Sequence, residues 1–311
     1  MACDESNPPS PLPLRKPDWL KVKLGGGANY ARIKGLRESL GLATVCEEAR
    51  CPNIGECWNA GTATFMLLGD TCTRACRFCN VKTGNPGGMV DEGEPARVAE
   101  AIATMDLSYV VFTMVDRDDL ADGGAAHVAR CVNAARARSP QLLVEVLTGD
   151  FRARRDDLAL VAASGASVLA HNVETVRSIT RKVRDGKSSY ENTLAALVHY
   201  KNLAPAKLTK SSLMLGLGET ADEIRETLND LRAANVDILT LGQYLQPSTW
   251  HLPVSEYVTP ARFEEWRTVA LQLGFLFVAS GPLVRSSYRA GELFTERWLR
   301  ERETGIGGTS V

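Results

Sequence analysis

Thr62–Leu68 reads TATFMLL, and Cys72–Cys79 reads Cys-Thr-Arg-Ala-Cys-Arg-Phe-Cys. The first stretch is a short apolar run rich in β-formers, as a buried strand requires. The second places three cysteines, spaced Cys-x3-Cys-x2-Cys, just beyond the carboxyl end of that strand. The pattern of apolar strand, polar residues and helix then repeats. Further strand runs are Tyr109–Val115, Leu142–Leu147, Ser167–Ala170, Leu208–Leu215 and Val236–Leu245. Helical periodicity falls between them, over Pro95–Met105, His127–Ala137, Asp156–Ala163, Val176–Val183 with Thr193–Lys201, and Ala221–Ala234. Near-continuous apolar strands alternating with helices predict an α/β chain with a parallel sheet. Curled on itself, such a sheet makes a partial barrel; laid open, it is doubly wound. A helix over Ala261–Leu273 and an apolar run Phe275–Val284 follow.

In parallel barrels the chemistry sits at the carboxyl ends of the strands. The polar residues of this chain collect there. They are Asp116-Arg117-Asp118-Asp119 and Asp122 after the second strand, Glu145 and Asp150 at the third, and His171-Asn172-Val173-Glu174 after the fourth. Lys210 and Glu219 go with the fifth, and Gln243 and Tyr244 with the sixth. Individually each has a structural explanation. Asp118, Asp119 and Asp122 read as helix caps before they read as catalysts, and Glu219 as a capping acid.

Six of the eight cysteines form two triads, Cys46-x4-Cys51-x5-Cys57 and Cys72-x3-Cys76-x2-Cys79. No histidine precedes His127. Disulfide frameworks belong to small secreted domains, and this chain has 311 residues and no signal-peptide pattern at its start. A redox Cys-x-x-Cys pair leaves the other cysteines unexplained. Zinc wants two close pairs, which these spacings do not supply. Three thiolates leave one position open, and on an iron-sulfur cluster an open iron can do chemistry. Cys131 reads as a buried small hydrophobe, and Cys3 as part of a loose tail.

Composition is that of an ordinary globular protein, with 44% hydrophobic and 23% charged residues and a formal net charge of −1. It carries no global nucleic-acid footprint and no run long enough to span a bilayer. Clustered reduced cysteines point to the cytoplasm, or to an organelle matrix in a eukaryote. Asn7–Pro17 reads as a flexible lead-in. The Arg15–Arg37 window is basic, with Asp18 its only acid before Glu38. It is either a solvated face or a docking face for an acidic partner. Gly25-Gly26-Gly27 reads as a turn.

The second triad, with Phe78 before its last cysteine and a strand before its first, resembles the radical S-adenosylmethionine enzymes. That resemblance implies a [4Fe–4S] cluster on Cys72, Cys76 and Cys79. Its fourth iron is chelated by S-adenosylmethionine, which one electron cleaves to a hydrogen-abstracting 5′-deoxyadenosyl radical. The stretches Cys46–Trp58, Thr62–Asp70, Val115–Leu120, Leu213–Thr220, Gly242–Pro247 and Gly281–Tyr288 resemble the lipoyl synthase family. The resemblance extends from about Arg15 to Glu292. It implies a partial (β/α)6 TIM-like barrel with N-terminal and C-terminal extensions. Residues 1–60 carry the auxiliary triad, 61–274 the barrel, and 275–311 the Arg285-Ser286-Ser287-Tyr288 motif.

The implied reaction inserts two sulfur atoms at carbons 6 and 8 of an octanoyl-lysine, consuming two molecules of S-adenosylmethionine. A second [4Fe–4S] cluster, on Cys46, Cys51 and Cys57 with Ser287 as fourth ligand, is the sulfur donor. A hydroxyl is a poor ligand for soft iron-sulfur chemistry, which suits a cluster meant to be dismantled. Implied partners are an octanoylated carrier domain of the dehydrogenase E2 or glycine-cleavage H-protein type, an electron donor such as ferredoxin or flavodoxin, and an iron-sulfur carrier for cluster repair. Glu145, Asn172 and Arg184 are assigned to S-adenosylmethionine. Glu145 would accept from ribose hydroxyls and Arg184 donate to the methionine carboxylate; the other reading is a buried ion pair. The chain departs from the family pattern at Met114, Ala121, Thr148-Gly149 and Ser248-Thr249-Trp250. The competing functions are another two-cluster sulfur-inserting enzyme and a non-catalytic iron-sulfur or zinc module.

Overall fold

The computed structural model describes residues 15–21, 26–59, 64–287 and 298–300. Cys3, most of the proline-rich start, Gly25, Thr62, Ala63 and Tyr288 lie outside them.

Helix α1 (Ala28–Leu40), the short strand β1 (Ala43–Thr44) and helices α2 (Val45–Glu48) and α3 (Ile54–Asn59) precede the first barrel strand, β2 (Thr64–Leu67). A two-stranded parallel ribbon, β3 (Thr71–Cys72) with β4 (Lys82–Thr83), brackets the second cysteine triad. The repeating units follow as α4 (Glu94–Met105), β5 (Tyr109–Met114), α5 (Ala125–Arg138), β6 (Leu143–Leu147), α6 (Arg155–Ala162) and β7 (Val168–Ala170). Then come α7 (Thr180–Val183), α8 (Tyr190–Leu203), β8 (Leu208–Leu215), α9 (Ala221–Ala233), β9 (Ile238–Gln243), α10 (Pro260–Gln272) and β10 (Phe277–Gly281). Local chemistry sets several helix starts. Pro95 and Pro260 occupy first-turn positions, and Thr220 with Glu223 forms a capping box on α9. The stretch expected as one helix over 176–183 is instead a 3-10 turn, Arg177–Ile179, running into the single turn α7.

The large sheet has the order β1-β2-β5-β6-β7-β8-β9-β10. Every neighbouring pair from β2 to β10 is parallel, and β1 pairs antiparallel with β2. A doubly wound sheet reverses its strand order at a switch point. Strictly sequential order with no reversal is the order of a barrel wall. β1 lies on the free edge of β2, and no pairing of β2 with β10 closes the ring among the described residues. The fold is a partial barrel, as expected. The Phe275–Val284 run supplies a seventh parallel strand, β10, beyond the six strand–helix units.

Apolar side chains of alternate strand residues and the inner helix faces fill two large clusters. One centres on Phe112, Val144, Ile102 and Val128, the other on Leu213, Leu239, Leu228 and Trp266. Cys131 is fully buried in the first, as the sequence implied. At the amino-terminal ends of the strands, Tyr109, Leu143, Val168, Leu208 and Ile238 pack against Leu299 or Trp298. Trp298 and Leu299 thus pack at the barrel floor, while residues 284–287 lie at its mouth.

Candidate active site

Leu68 (φ +69°) and Gly69 (φ +88°) turn the chain out of β2 toward the cysteine loop. The loop is clamped from several elements. Thr73 N–H and Oγ1 both donate to Asp116 O at 2.9 Å, and Arg77 N–H donates to Val183 O at 2.9 Å. His251 Nε2 lies 2.9 Å from Cys79 O. Backbone N–H groups of Arg74 and Asp185 donate to Cys72 Sγ (3.4 Å) and Cys76 Sγ (3.3 Å). Arg74, inside the triad, is buried and reaches Asp118 (3.0 Å), Asp150 (2.9 Å) and Asp116 (3.5 Å). Asp118 is therefore part of the loop clamp rather than the helix cap the sequence predicted. Asp122 does serve the start of α5, accepting from Gly124 and Ala126 N–H. Glu219 accepts from Gly216 and Leu217 N–H and shapes the turn before α9. Gly149 has a local reason: a Cβ there would sit 2.2 Å from Asp116 Oδ1.

All six cysteines line one cavity of about 540 Å3 at the carboxyl ends of the strands, within the range of sites for small ligands. Cys46 lies on α2, Cys57 on α3 and Cys51 between them. Arg285, Ser286 and Ser287 line the same cavity. Their segment crosses the mouth. Asn53 Nδ2 donates to Leu283 O at 2.7 Å across 230 residues of sequence. Arg285 Nη1 donates to Gln243 O at 3.3 Å. Gly242 admits this crossing, since a Cβ there would come 2.2 Å from Val284 O. Ser287 thus shares a cavity with Cys46, Cys51 and Cys57.

Of the three residues assigned to S-adenosylmethionine, Asn172 and Arg184 line the cavity and Glu145 does not. The Glu145 carboxylate is buried below it, 2.7 and 2.8 Å from Lys210 Nζ and 2.7 Å from Tyr109 Oη. A buried carboxylate needs such partners, and β6 sets Glu145 two residues below Leu147, which does face the cavity. Arg184 is 8% exposed; its Nη1 donates to Thr193 Oγ1 at 2.7 Å, and its Nε is buried without a partner. Asn172 Nδ2 donates to Glu174 Oε1 at 3.1 Å. Glu174, itself lining the cavity, has φ +65°, rare for a residue with a side chain.

The thiols suit a polynuclear metal centre. Burial pushes Cys72 and Cys76 up to about 11, and Cys79 up to about 12 with a further push from its two cysteine neighbours. Three such groups become thiolates together only when a cation replaces their protons. A single zinc ion at about 2.3 Å from each sulfur would draw the sulfurs within roughly 4 Å of one another. Among the described residues, the ligand atoms that lie within 4.8 Å of one another are those of Glu94, His127 and Cys131, not those of either triad. In that exception Glu94 Oε2 already holds His127 Nε2 at 2.6 Å and Leu68 N–H at 2.9 Å, a buried network that braces the turn out of β2. Burial raises the Cys51 thiol as well, while the nearby Arg285 charge favours its thiolate. Burial likewise pushes Asp116, beside Cys72, up to about 6 against the pull of Arg74.

Sequence reasoning placed the cysteines, Asn172, Arg184 and Ser287 at one mouth but missed the Arg74 clamp. The available signal was a lone arginine inside the triad together with a run of aspartates after the next strand.

The radical SAM superfamily model matches residues 66–231, and the model for the N-terminal domain of lipoyl synthase matches residues 9–51. The crystal structure of methylornithine synthase is similar with a TM-score of 0.54 at 14% identity, covering 89% of this chain and 94% of that one. The FeFe-hydrogenase maturase HydG from Carboxydothermus hydrogenoformans gives 0.51 at 11% identity, over 86% and 70%. These likenesses show the fold. The lipoyl synthase of Anaeromyxobacter sp. (strain Fw109-5) is 56% identical over 94% of this chain and 100% of its own length. That of Thermus thermophilus is also 56% identical, over 94% and 90%, and the mitochondrial lipoyl synthase of Branchiostoma floridae 53% identical over 94% and 79%. With identity above one half across nearly its whole length, the chain belongs to the lipoyl synthase family of radical SAM enzymes.

Proposed function

We propose that this protein inserts two sulfur atoms, at carbons 6 and 8, into an octanoyl chain carried on a lysine of a lipoyl carrier domain. Its superfamily brings S-adenosylmethionine and an iron-sulfur cluster. The finer reading gives it two [4Fe–4S] clusters, one on Cys72, Cys76 and Cys79, the other on Cys46, Cys51 and Cys57 with Ser287 as fourth ligand. The observation that carries this reading is the single cavity lined by all six cysteines and Ser287. When bound, the first cluster and S-adenosylmethionine supply one-electron cleavage and hydrogen abstraction from unactivated carbon. The second cluster is a substrate, the source of both sulfurs.

The chain's own residues bind, orient and seal. Arg184 keeps its Nε donor without a protein partner, as a carboxylate-binding guanidinium should; it takes the methionine carboxylate. Asn172 contacts the same molecule. The acceptor role for ribose hydroxyls falls to Glu174, which lines the cavity, rather than to Glu145, which is held by Lys210. Asp118, Asp150 and Arg74 fix the loop. Residues 281–287 cover the mouth and exclude water and stray hydrogen donors.

The same reading divides the chain into a sulfur-donor segment (1–60), a radical barrel (61–274) and a C-terminal segment (275–311) that seals the mouth. Its carrier is of the E2 or H-protein type, its reductant a ferredoxin or flavodoxin, and an iron-sulfur carrier rebuilds the consumed cluster. No helix among the described residues is long and apolar enough to cross a membrane; the proposed location is the cytoplasm, or an organelle matrix in a eukaryote. Incubation of reconstituted protein with an octanoyl-lysine peptide, S-adenosylmethionine and reductant should yield the lipoyl peptide by mass. Cofactor cleavage with no sulfur gained would overturn the assignment.

A further inference from the structure

The Cys72–Cys79 centre needs electrons from outside, and its cavity side is taken up by the substrate pocket and the 284–287 segment. One approach from solvent is over the Cys76–Cys79 turn, closed by Cys79 N–H donating to Cys76 O at 3.1 Å. Arg77, between those two cysteines, is exposed. Its Nη2 donates to Trp250 O at 2.9 Å, and its guanidinium lies 5.0 Å over the Trp250 ring. Trp250 is 53% exposed and meets His251 edge-on at 5.0 Å; His251 in turn contacts Cys79 O. Beneath lies an apolar layer of Phe78, Val183, Leu217, Tyr244 and Leu252. α7 packs on this layer and presents Arg181 and Lys182 to solvent.

The patch is positive. Among the described residues, neither Arg77, Arg181 nor Lys182 has a carboxylate partner. The nearby acid Asp185 accepts from Ala75 and Lys187 N–H at 2.9 Å each. None of Arg77, Trp250, Arg181 and Lys182 lines the cavity, which the octanoyl chain must enter.

We propose that Arg77, Trp250, Arg181 and Lys182 form the docking patch for an acidic one-electron carrier protein. The inference rests on the functional reading above. In each encounter the carrier is oxidised by one electron and the Cys72–Cys79 centre reduced by one; no bond or proton moves at the patch. Two cofactor molecules per product require repeated visits, so the carrier must leave quickly. A small patch with an aromatic centre and a cationic rim suits that. Transient redox encounters bury less than about 1,200 Å2, aromatic residues and arginine are enriched at interface cores, and complementary charge raises the on-rate more than the affinity.

The test uses the reconstituted holoprotein, with reduced flavodoxin as the acidic carrier, in the variants Arg181→Glu/Lys182→Glu and Trp250→Ala. Arg77 is left in place because it lies between two ligand cysteines. Flavodoxin binding should weaken by about tenfold in the charge-reversed variant, equivalent to about 1.4 kcal/mol, and wild-type binding should weaken with salt. Flavodoxin-driven cofactor cleavage should fall in parallel, while dithionite-driven cleavage and iron content stay at wild-type levels. Unchanged flavodoxin binding overturns the patch. So does weakened binding of an octanoylated carrier domain with flavodoxin binding intact. If wild-type protein cleaves no cofactor even with dithionite, the functional reading fails, and flavodoxin binding still decides the patch.

Discussion

The two cysteine triads line one cavity but are held very differently. Cys72–Cys79 sits on the loop that follows β2, bracketed by the separate β3–β4 ribbon and held by a buried Arg74 that pairs with Asp116, Asp118 and Asp150. Backbone N–H groups reach two of its sulfurs. Cys46–Cys57 sits outside the barrel on two short helices. Its ties to the rest of the mouth include Asn80 Nδ2 donating to Glu48 O at 2.9 Å and Asn53 Nδ2 donating to Leu283 O at 2.7 Å, and Cys46 itself is buried in the first core cluster. A cluster that must cycle unchanged needs a rigid cradle, whereas one that gives up its sulfurs has to be opened and rebuilt. Under the proposed function, the barrel-loop triad holds the cluster that is kept and the helical triad the cluster that is consumed.

Removing a cradle thiolate gives the largest effect. Cys72→Ala, Cys76→Ala or Cys79→Ala should abolish 5′-deoxyadenosine formation, measured by chromatography; undiminished formation in any of them would erase the distinction between the triads. Next, Cys46→Ala, Cys51→Ala or Cys57→Ala should retain cofactor cleavage and yield no sulfur-containing product by mass analysis. Lipoyl product at the parent rate would remove the donor role from that triad. Ser287→Ala should keep roughly eight irons per chain, the content of two four-iron clusters, yet stall in insertion. Ser286→Ala should do much less, and equal effects of the two would deny Ser287 its special place. Smaller again, Arg184→Ala should raise the S-adenosylmethionine needed for half-maximal cleavage by about tenfold or more, as for loss of a charged hydrogen bond of about 1.5–3 kcal/mol, with iron content unchanged. Glu145→Gln should leave that requirement near the parent value. Its effect should appear as about 3–5 kcal/mol of lost stability in a denaturant titration, because Lys210 is left charged and buried; a raised cofactor requirement instead would return Glu145 to the site.

Much of this was legible in the sequence. Apolar runs of strand length at regular intervals gave the parallel sheet, and cysteine spacing gave the triads. Only pairing information could choose between a curled and an open sheet, since both use the same strands. The apolar run Phe275–Val284 was legible as such, but that it pairs parallel with β9 as a seventh strand was not. Glu145 misled because alternation along a strand places a residue on the inner face but not at a given depth, and Lys210, its partner, is 65 residues away. The Arg74 clamp was hidden for the same reason: its aspartates come from loops after two later strands and meet only when the wall curls.

The most direct test of the central claim is a single turnover with labelled sulfide built into the clusters and unlabelled sulfide in the buffer. If the Cys46–Cys57 cluster is the sulfur substrate, both sulfurs of the lipoyl product will carry the label, and a Cys51→Ala protein with an intact labelled Cys72–Cys79 cluster will transfer none. Unlabelled product from the wild-type protein, or labelled product from Cys51→Ala, would contradict it.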